Sequence, residues 1–190
     1  MALATKERIL EAAGTALLRN PNATVDEIAA EARVGRATVF RHFGNRAGLL
    51  RALASRAIAE TDSVTRRAVA NACTATDALR LVTRAVVGAG EFFRFLDSAA
   101  ELYDEPEIVE AYQRQISELA DLVGAAKREG SIRPDVPTAW VVASIDGLIW
   151  AACRAVGDGE LGVVQAQDLV WETVANGLST EGKRTHDHAE

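Results

Sequence analysis

The chain has 190 residues, of which 48% are hydrophobic and 25% charged, and its formal net charge is −6. This composition is typical of a globular protein with a core, and it excludes a disordered or low-complexity chain. The two cysteines, Cys73 and Cys153, lack the spacing of metal ligands, so we expect buried, reduced thiols.

The charge is unevenly distributed along the chain. Residues 1–56 hold nine Lys or Arg and five Asp or Glu, whereas residues 57–190 hold twelve and 22. This asymmetry indicates a small basic module joined to an acidic body. The basic module suits a polyanion such as nucleic acid, which the acidic body would repel.

No segment predicts secretion or membrane insertion. The N-terminal sequence MALATKERIL lacks the apolar core of a signal peptide. The most apolar stretch, Ala139 to Cys153, is shorter than the roughly 20 residues that span a bilayer, and it carries Asp146. We therefore predict a soluble, cytoplasmic protein with no membrane partner.

Apolar residues recur with the period of an amphipathic helix in nearly every segment, and no strand pattern is found. Thr24 followed by Glu27 predicts a capping box, and Gly44 predicts a turn. The helices predicted in the first third of the chain are 5–19, 24–32, 36–43 and one from about 45 into the low seventies.

The same helical pattern continues through the body of the chain. Gly and Pro residues in GSIRPDVP, residues 130–137, predict a loop. The predicted elements are a helix at 77–96, a helical turn near 98–103, and helices at 106–129, 137–155 and 163–178. We therefore predict an all-α fold of about nine helices.

Residues 24–43 have the layout of a helix-turn-helix, and the preceding helix completes a small core. In the third helix, Val39 and Phe43 are spaced to face inward. The outward residues are Ala37, Thr38 and Arg41, with Arg36 at the exposed N-terminal end. A recognition helix presents its N-terminal residues to base edges in the major groove. Arg36 has two donors for guanine O6 and N7.

Further side chains flank this face and are placed to contact the phosphate backbone. Arg46, in the first turn of the next predicted helix, adds its charge to free backbone N–H groups. The candidate DNA-binding residues are Thr24, Arg33, Arg36, Ala37, Thr38, Phe40, Arg41, His42 and Arg46. The alternative is a solvated basic face on an ordinary three-helix bundle.

The run TVDEIAAEARVGRATVFRHFGNRAGLL, residues 24–50, resembles the DNA-binding signature of the TetR (tetracycline-repressor) family. The matching residues are Thr24, Ile28, Ala29, Ala32, Val34, Thr38, Val39, His42, Phe43, Asn45 and Leu49. The resemblance implies a helix-turn-helix domain over residues 1–48 and a ligand-binding and dimerisation domain over residues 49–180. Residues 181–190 are a polar tail that we expect to be disordered.

Four residues depart from the family pattern. Arg33 stands in place of glycine, Gly35 in place of serine, Phe40 in place of tyrosine and Arg46 in place of lysine. If Arg33 adopts the left-handed conformation, its side chain costs about 1 kcal/mol. Phe40 lacks the hydroxyl that would bind a phosphate, whereas Arg46 keeps the charge.

The resemblance also implies a homodimer formed by the last two helices. The predicted 137–155 helix is apolar nearly all round and must be buried on several sides, by a partner or within a monomer. We favour the dimer, because two recognition helices about 34 Å apart read a near-palindromic operator. The candidate interface residues are Ile145, Ile149, Val170, Trp171, Val174 and Leu178.

A small-molecule cavity in the body is a further implication of the resemblance. The candidate lining residues are Phe92, Phe93, Phe95, Tyr103, Tyr112, Trp140, Asp146 and Trp150. Ordinary core packing also explains each aromatic residue. Asp146 is costly in an apolar helix unless it is paired, so it anchors a ligand, pairs with Arg84 or Arg154, or lies at the dimer seam.

Other classes of function find less support. The chain has no Gly-rich phosphate loop, nucleophile elbow or His-Glu zinc motif, so we predict no enzyme activity, cofactor or metal. A helical binding protein without DNA contact is disfavoured by Arg36, Arg41 and Arg46. The sequence is interpreted as a TetR-like transcriptional repressor that binds operator DNA as a homodimer and responds to a small molecule.

Overall fold

The computed structural model describes residues 2–20, 22–90, 102 and 105–180. Within these ranges the chain is helical, with eight helices and no strand longer than an isolated bridge, which confirms the all-α prediction. The helices are α1 (Ala2–Arg19), α2 (Val25–Glu31), α3 (Arg36–Phe43), α4 (Arg46–Ala70), α5 (Ala75–Gly88), α6 (Pro106–Arg128), α7 (Thr138–Gly157) and α8 (Val163–Leu178). The end of the predicted 77–96 helix, most of the turn near 98–103 and the tail 181–190 lie outside the described residues.

The chain divides into two compact units. Unit 1 comprises Met1–Ala59 and Glu91–Glu110, and unit 2 comprises Glu60–Gly90 and Ala111–Glu190. Helices α4 and α6 each begin in unit 1 and end in unit 2.

Unit 1 has a core formed by one apolar stripe from each of its helices. The fully or almost fully buried residues that represent α1 to α4 are Ile9, Leu17, Ile28, Val39 and Leu53. Within each helix the apolar residues recur at helical period, so each helix buries one face. Leu102, far away in the sequence, is buried in the same core.

Helix α2 begins with the predicted capping box. The Glu27 N–H donates to Thr24 Oγ1 at 3.2 Å, and the Thr24 N–H donates to Glu27 Oε2 at 2.6 Å. Two backbone groups at the helix start are thereby satisfied. The bond from the Thr24 N–H holds the pKa of the Glu27 carboxyl below its ordinary value.

The turn after α2 has the hydrogen bonds of a Schellman motif. The Val34 N–H donates to the Ala29 carbonyl at 2.9 Å, and the Arg33 N–H donates to the Ala30 carbonyl at 3.0 Å. The backbone of Arg33 has φ of 53°, which is in the left-handed region that favours glycine. The turn therefore fixes the angle between α2 and α3, and Arg33 is strained within it.

We expect Arg33→Gly to raise the free energy of unfolding by about 1 kcal/mol, because glycine adopts this conformation without a Cβ clash. Urea unfolding of the two proteins measures the difference. Arg33→Ala is the control, since it removes the charge and keeps the Cβ. Its free energy of unfolding should be close to that of the parent. A glycine variant that is no more stable than the alanine variant would show that Arg33 is not strained.

Unit 2 has a separate core in which α5 to α8 pack together. Residues that represent these helices are Leu79, Val123, Val141, Ile145 and Val174, all fully buried. The predicted loop at 130–137 connects α6 to α7, and an isolated bridge joins Ile132 to Ser179 after α8. Cys153 is buried in this unit, as expected, whereas Cys73 is exposed, which corrects the prediction for that thiol.

Helix α7 is longer than the sequence indicated. It has 20 residues, and by length and composition it qualifies as a membrane span, so the prediction that the apolar stretch is too short is wrong. One such helix is weak evidence, because the core helix of a soluble protein has the same composition. Val141, Val142 and Ile145 on α7 pack in the core of unit 2, but only 28% of the apolar window is buried within the protomer.

Candidate nucleic-acid interface and effector site

Helix α3 presents a basic surface while its apolar residues are held in the core of unit 1. Val39 is only 2% exposed, and Phe43 packs against the same core from a half-buried position. The outward residues are Arg36, Ala37 and Arg41, which are exposed, and Thr38, which is half-buried. The structure therefore places these four predicted DNA-binding residues on the non-core side of α3.

Arg36 bonds to one side chain and lies beside another, neither of which the sequence predicted as its partner. Its Nη1 donates to Oδ2 of Asp26 on α2 at 2.7 Å. Its guanidinium carbon lies 5.1 Å from the centre of the Phe40 ring, one helical turn further along α3. The spacing of Arg36 and Phe40 is visible in the sequence, whereas Asp26 lies on another helix and its position required the tertiary structure.

A tight turn joins α3 to α4. Gly44 has φ of +76°, and Asn45 Oδ1 accepts a bond from the Gly48 N–H at 2.8 Å at the start of α4. A Cβ on Gly48 would lie 2.0 Å from the Phe43 carbonyl oxygen, so this close approach favours glycine. Arg46, half-buried, is in the first turn of α4 and so lies near the end of α3 in the chain.

The remaining predicted DNA-binding residues lie around this surface. Thr24 is exposed and caps α2, and Arg33 is exposed in the turn before α3. Phe40 is 37% exposed, which is too open for an ordinary core residue. His42 is half-buried, with its ring 6.2 Å from that of Phe43.

A second group of predicted residues meets in unit 2. The Tyr112 hydroxyl on α6 donates to Asp146 Oδ2 on α7 at 2.8 Å, and Trp150, one turn further along α7, also bonds to Asp146. Burial raises the pKa of the Asp146 carboxyl, and the bonds from Tyr112 and Trp150 offset part of this effect. Burial and the bond to Asp146 raise the pKa of Tyr112. Of the alternative partners, Arg84 is paired with Asp168.

Other predicted ligand residues are not part of this Tyr112–Asp146–Trp150 cluster. Trp140 is 64% exposed and lies on a different face of α7 from Asp146. Phe92, Phe93, Phe95 and Tyr103 lie outside the described residues. In the part of the chain that the structure describes, no three His, Cys, Asp or Glu side chains are grouped to hold a metal ion.

Comparison with known proteins identifies the helix-turn-helix. Residues 9–53 match the family model described as bacterial regulatory proteins of the tetR family. A curated relative, the transcriptional repressor LfrR of Mycolicibacterium smegmatis, is 28% identical over 176 residues, which are 93% of this chain and 91% of LfrR. The chain is a DNA-binding transcriptional regulator whose helix-turn-helix is of the tetR type. This family consists of regulators and not of enzymes.

Solved structures of tetR-family regulators have the same fold. LfrR from Mycobacterium smegmatis in complex with proflavine superimposes with a TM-score of 0.75 at 28% identity, covering 91% of this chain and 95% of that chain. The ketosteroid transcriptional regulator KstR2 of Mycobacterium tuberculosis superimposes with a TM-score of 0.76 at 19% identity, covering 92% of this chain and 95% of that chain. At this identity the similarity supports the fold alone. The similarity to LfrR therefore covers the helical body of the chain as well as its DNA-binding signature.

The predicted dimer residues are mostly inside the protomer. Ile145, Val170, Val174 and Leu178 are buried in unit 2, and Ile149 and Trp171 are half-buried. The surface that α7 and α8 leave open is formed by neighbouring residues. These are Trp140, Ala143, Gly147 and Ala151 on α7, and Leu169, Thr173 and Gly177 on α8. No partner chain is present to test the contacts of either set, so the interface residues stay a prediction.

Proposed function

We propose that this regulator is a cytoplasmic repressor that binds a near-palindromic operator as a homodimer and is released by a small molecule. Residues 1–48 are the DNA-binding domain and residues 49–180 the effector-binding and dimerisation domain. The observation that carries the proposal is the basic outer surface of α3, held by a capped α2 and a hydrogen-bonded turn. Repression is supported by the similarity to LfrR, a transcriptional repressor.

The residues that bind DNA fall into two groups. Arg36, Ala37 and Thr38 begin α3 and face away from the core, where they suit base edges in the major groove. The residues that suit phosphates are Thr24, Arg33, Arg41, His42 and Arg46. Phe40 has no hydroxyl for a phosphate, so its contribution is the apolar and cation–π contact with Arg36.

The homodimer uses the open surface of α7 and α8. Gly147 and Gly177 have nothing within 4 Å of the position of a Cβ, so each leaves room for the backbone of a partner helix to approach. Trp140 and Leu169 are large apolar side chains exposed in the single protomer, and burial against a second copy removes them from water. Two copies then present two α3 helices to two half-sites.

The effector site is the Tyr112–Asp146–Trp150 cluster. A carboxylate between two aromatic rings suits a planar compound that carries a positive charge. Tyr112 is 44% exposed, so the cluster is reachable from solvent. The 28% identical regulator LfrR has been solved in complex with proflavine, which makes this compound a suitable probe.

The proposal is tested by footprinting the purified protein on DNA upstream of its own gene and then adding proflavine. We expect two protected half-sites related by a two-fold axis, with affinity that falls steeply as salt rises. Protection should disappear as proflavine is added. Protein that protects no DNA at low salt would instead be a helical binding protein whose helix-turn-helix no longer binds DNA.

We expect Asp146→Asn to weaken release by proflavine at least tenfold while operator affinity stays unchanged, because the half-buried charge that attracts a cation is removed. The free energy of unfolding at neutral pH should not fall. Since the pKa of the folded carboxyl is raised, the charged form disfavours the folded state, and parent stability rises as pH falls through that pKa.

The Asn variant should lack this pH-dependent gain, which urea unfolding between about pH 4 and pH 7 would measure. Asp121→Asn is the matched control, since it removes an exposed carboxylate from α6. A control that impairs release as much as Asp146→Asn would assign the effect to overall charge and not to this site.

A further inference from the structure

The guanidinium of Arg36 is held between two residues on different helices. Asp26 on α2 accepts from Nη1 at 2.7 Å, and the ring of Phe40 lies 5.1 Å from the guanidinium carbon. The side chains of Arg36 and Asp26 are 61% and 59% exposed, so water screens their charges and the pair adds little to the stability of the fold. The ion pair instead affects how the Arg36 side chain is oriented.

An unrestrained arginine side chain has many rotamers, and its ordering on binding costs conformational entropy. Here Asp26 bonds to the edge of the Arg36 guanidinium, and the guanidinium lies over the face of the Phe40 ring. Together they restrict the position of the charged group before DNA arrives. Asp26 bonds to Nη1 alone, so the Nε and Nη2 donors are left for the O6 and N7 acceptors of a guanine.

The carboxylate of Asp26 also affects whether Arg36 binds a phosphate or a base. A phosphate that approached Arg36 from the side of α2 would meet this negative charge, whereas a neutral base edge would not. We propose that Asp26 and Phe40 are positioning residues that make Arg36 read a guanine base instead of binding phosphates without selection. The inference rests on the proposed function, in which α3 enters the major groove.

This arrangement affects discrimination between sequences more than affinity. Removal of Asp26 takes away one negative charge near DNA, so binding to unrelated DNA becomes tighter. Arg36 then exchanges between bases and phosphates, and the preference for one G·C pair in each half-site falls. A bidentate arginine–guanine pair gives discrimination of roughly tenfold or more, which sets the size of the effect.

The test measures dissociation constants for the full-length dimer at one fixed salt concentration. The DNA set is the footprinted operator, every single base-pair substitution in its half-site, and an unrelated duplex. The proteins are the parent, Asp26→Ala and Glu31→Ala. Glu31 is the matched control, because it lies on the same helix and forms an exposed ion pair of 2.6 Å with Arg19 and not with a residue of α3.

We expect the parent and Glu31→Ala to discriminate roughly tenfold or more at one G·C position, and Asp26→Ala to discriminate there by about threefold or less. Phe40→Leu should reduce discrimination at the same position, and the conservative variant Phe40→Tyr should restore it. In an Arg36→Ala background, Asp26→Ala should cause no further reduction in discrimination, since it acts through Arg36.

The outcomes separate this inference from the proposed function. Equal discrimination by the parent and Asp26→Ala overturns the positioning role, as does an equal reduction in Glu31→Ala or a further reduction in the Arg36→Ala background. A parent that binds all duplexes alike overturns the proposed function, and this inference with it.

Discussion

Simultaneous replacement of Arg36, Arg41 and Arg46 by alanine should lower operator affinity by about a hundredfold or more at moderate salt, because six cations are removed from the DNA-binding surface of each dimer. The slope of log affinity against log salt should become shallower by about 0.9 for each phosphate that is no longer neutralised. Fluorescence anisotropy with labelled operator, measured over a range of salt concentrations, gives both quantities.

The fold should survive this change, since all three side chains lie outside the core of unit 1. The control is a triple variant that removes the same charge elsewhere, Arg66, Arg67 and Arg128 to alanine, all exposed residues in unit 2. It should bind operator within a few-fold of the parent. If both triple variants bound operator equally weakly, the basic surface of α3 would not be the site of DNA binding.

Gly147→Leu should convert the protein from a dimer to a monomer of 20.3 kDa. No atom lies within 4 Å of the Cβ position at Gly147, so the new side chain fits the isolated protomer. In a dimer it would project into the partner helix, and overpacking of this kind costs about 1–3 kcal/mol at each of two symmetric positions. Light scattering coupled to size exclusion measures the mass.

Operator binding should fall together with dimerisation, because one recognition helix gives little affinity on its own. Circular dichroism should show that the helical content of the variant is retained. Asp121→Leu is the control, since it adds an equally exposed apolar side chain to α6, and it should remain a dimer. A Gly147→Leu variant that stays dimeric would place the partner interface on another surface.

Local patterns in the sequence predicted the helices of unit 1 well. The capping box at Thr24 and Glu27 is present, and α3 has the predicted bounds of 36 and 43. Arg33 adopts the left-handed conformation, the case in which its side chain was expected to cost about 1 kcal/mol. These features depend on residues within a few positions of one another, so the sequence contains all the information that they need.

Helix ends and burial were predicted less accurately. Helix α1 begins at Ala2, three residues before the predicted start, because fraying ends carry little signal in the sequence. Ile145 and Val174, which were predicted at the dimer interface, are buried within the protomer, and their contact with a partner stays a prediction. An apolar stripe shows that a helix is buried but does not identify what covers it.

The sequence by itself determined the helical class, the helix-turn-helix and the family, because periodicity, caps and fixed motif spacing are local properties. Only the tertiary structure decided that Asp26 holds Arg36, that Tyr112 and Trp150 bond to Asp146, and that Leu102 completes the core of unit 1. Most of these interactions join residues on different helices, up to tens of positions apart. Their distances depend on how the helices pack, which the pattern within a single helix does not specify.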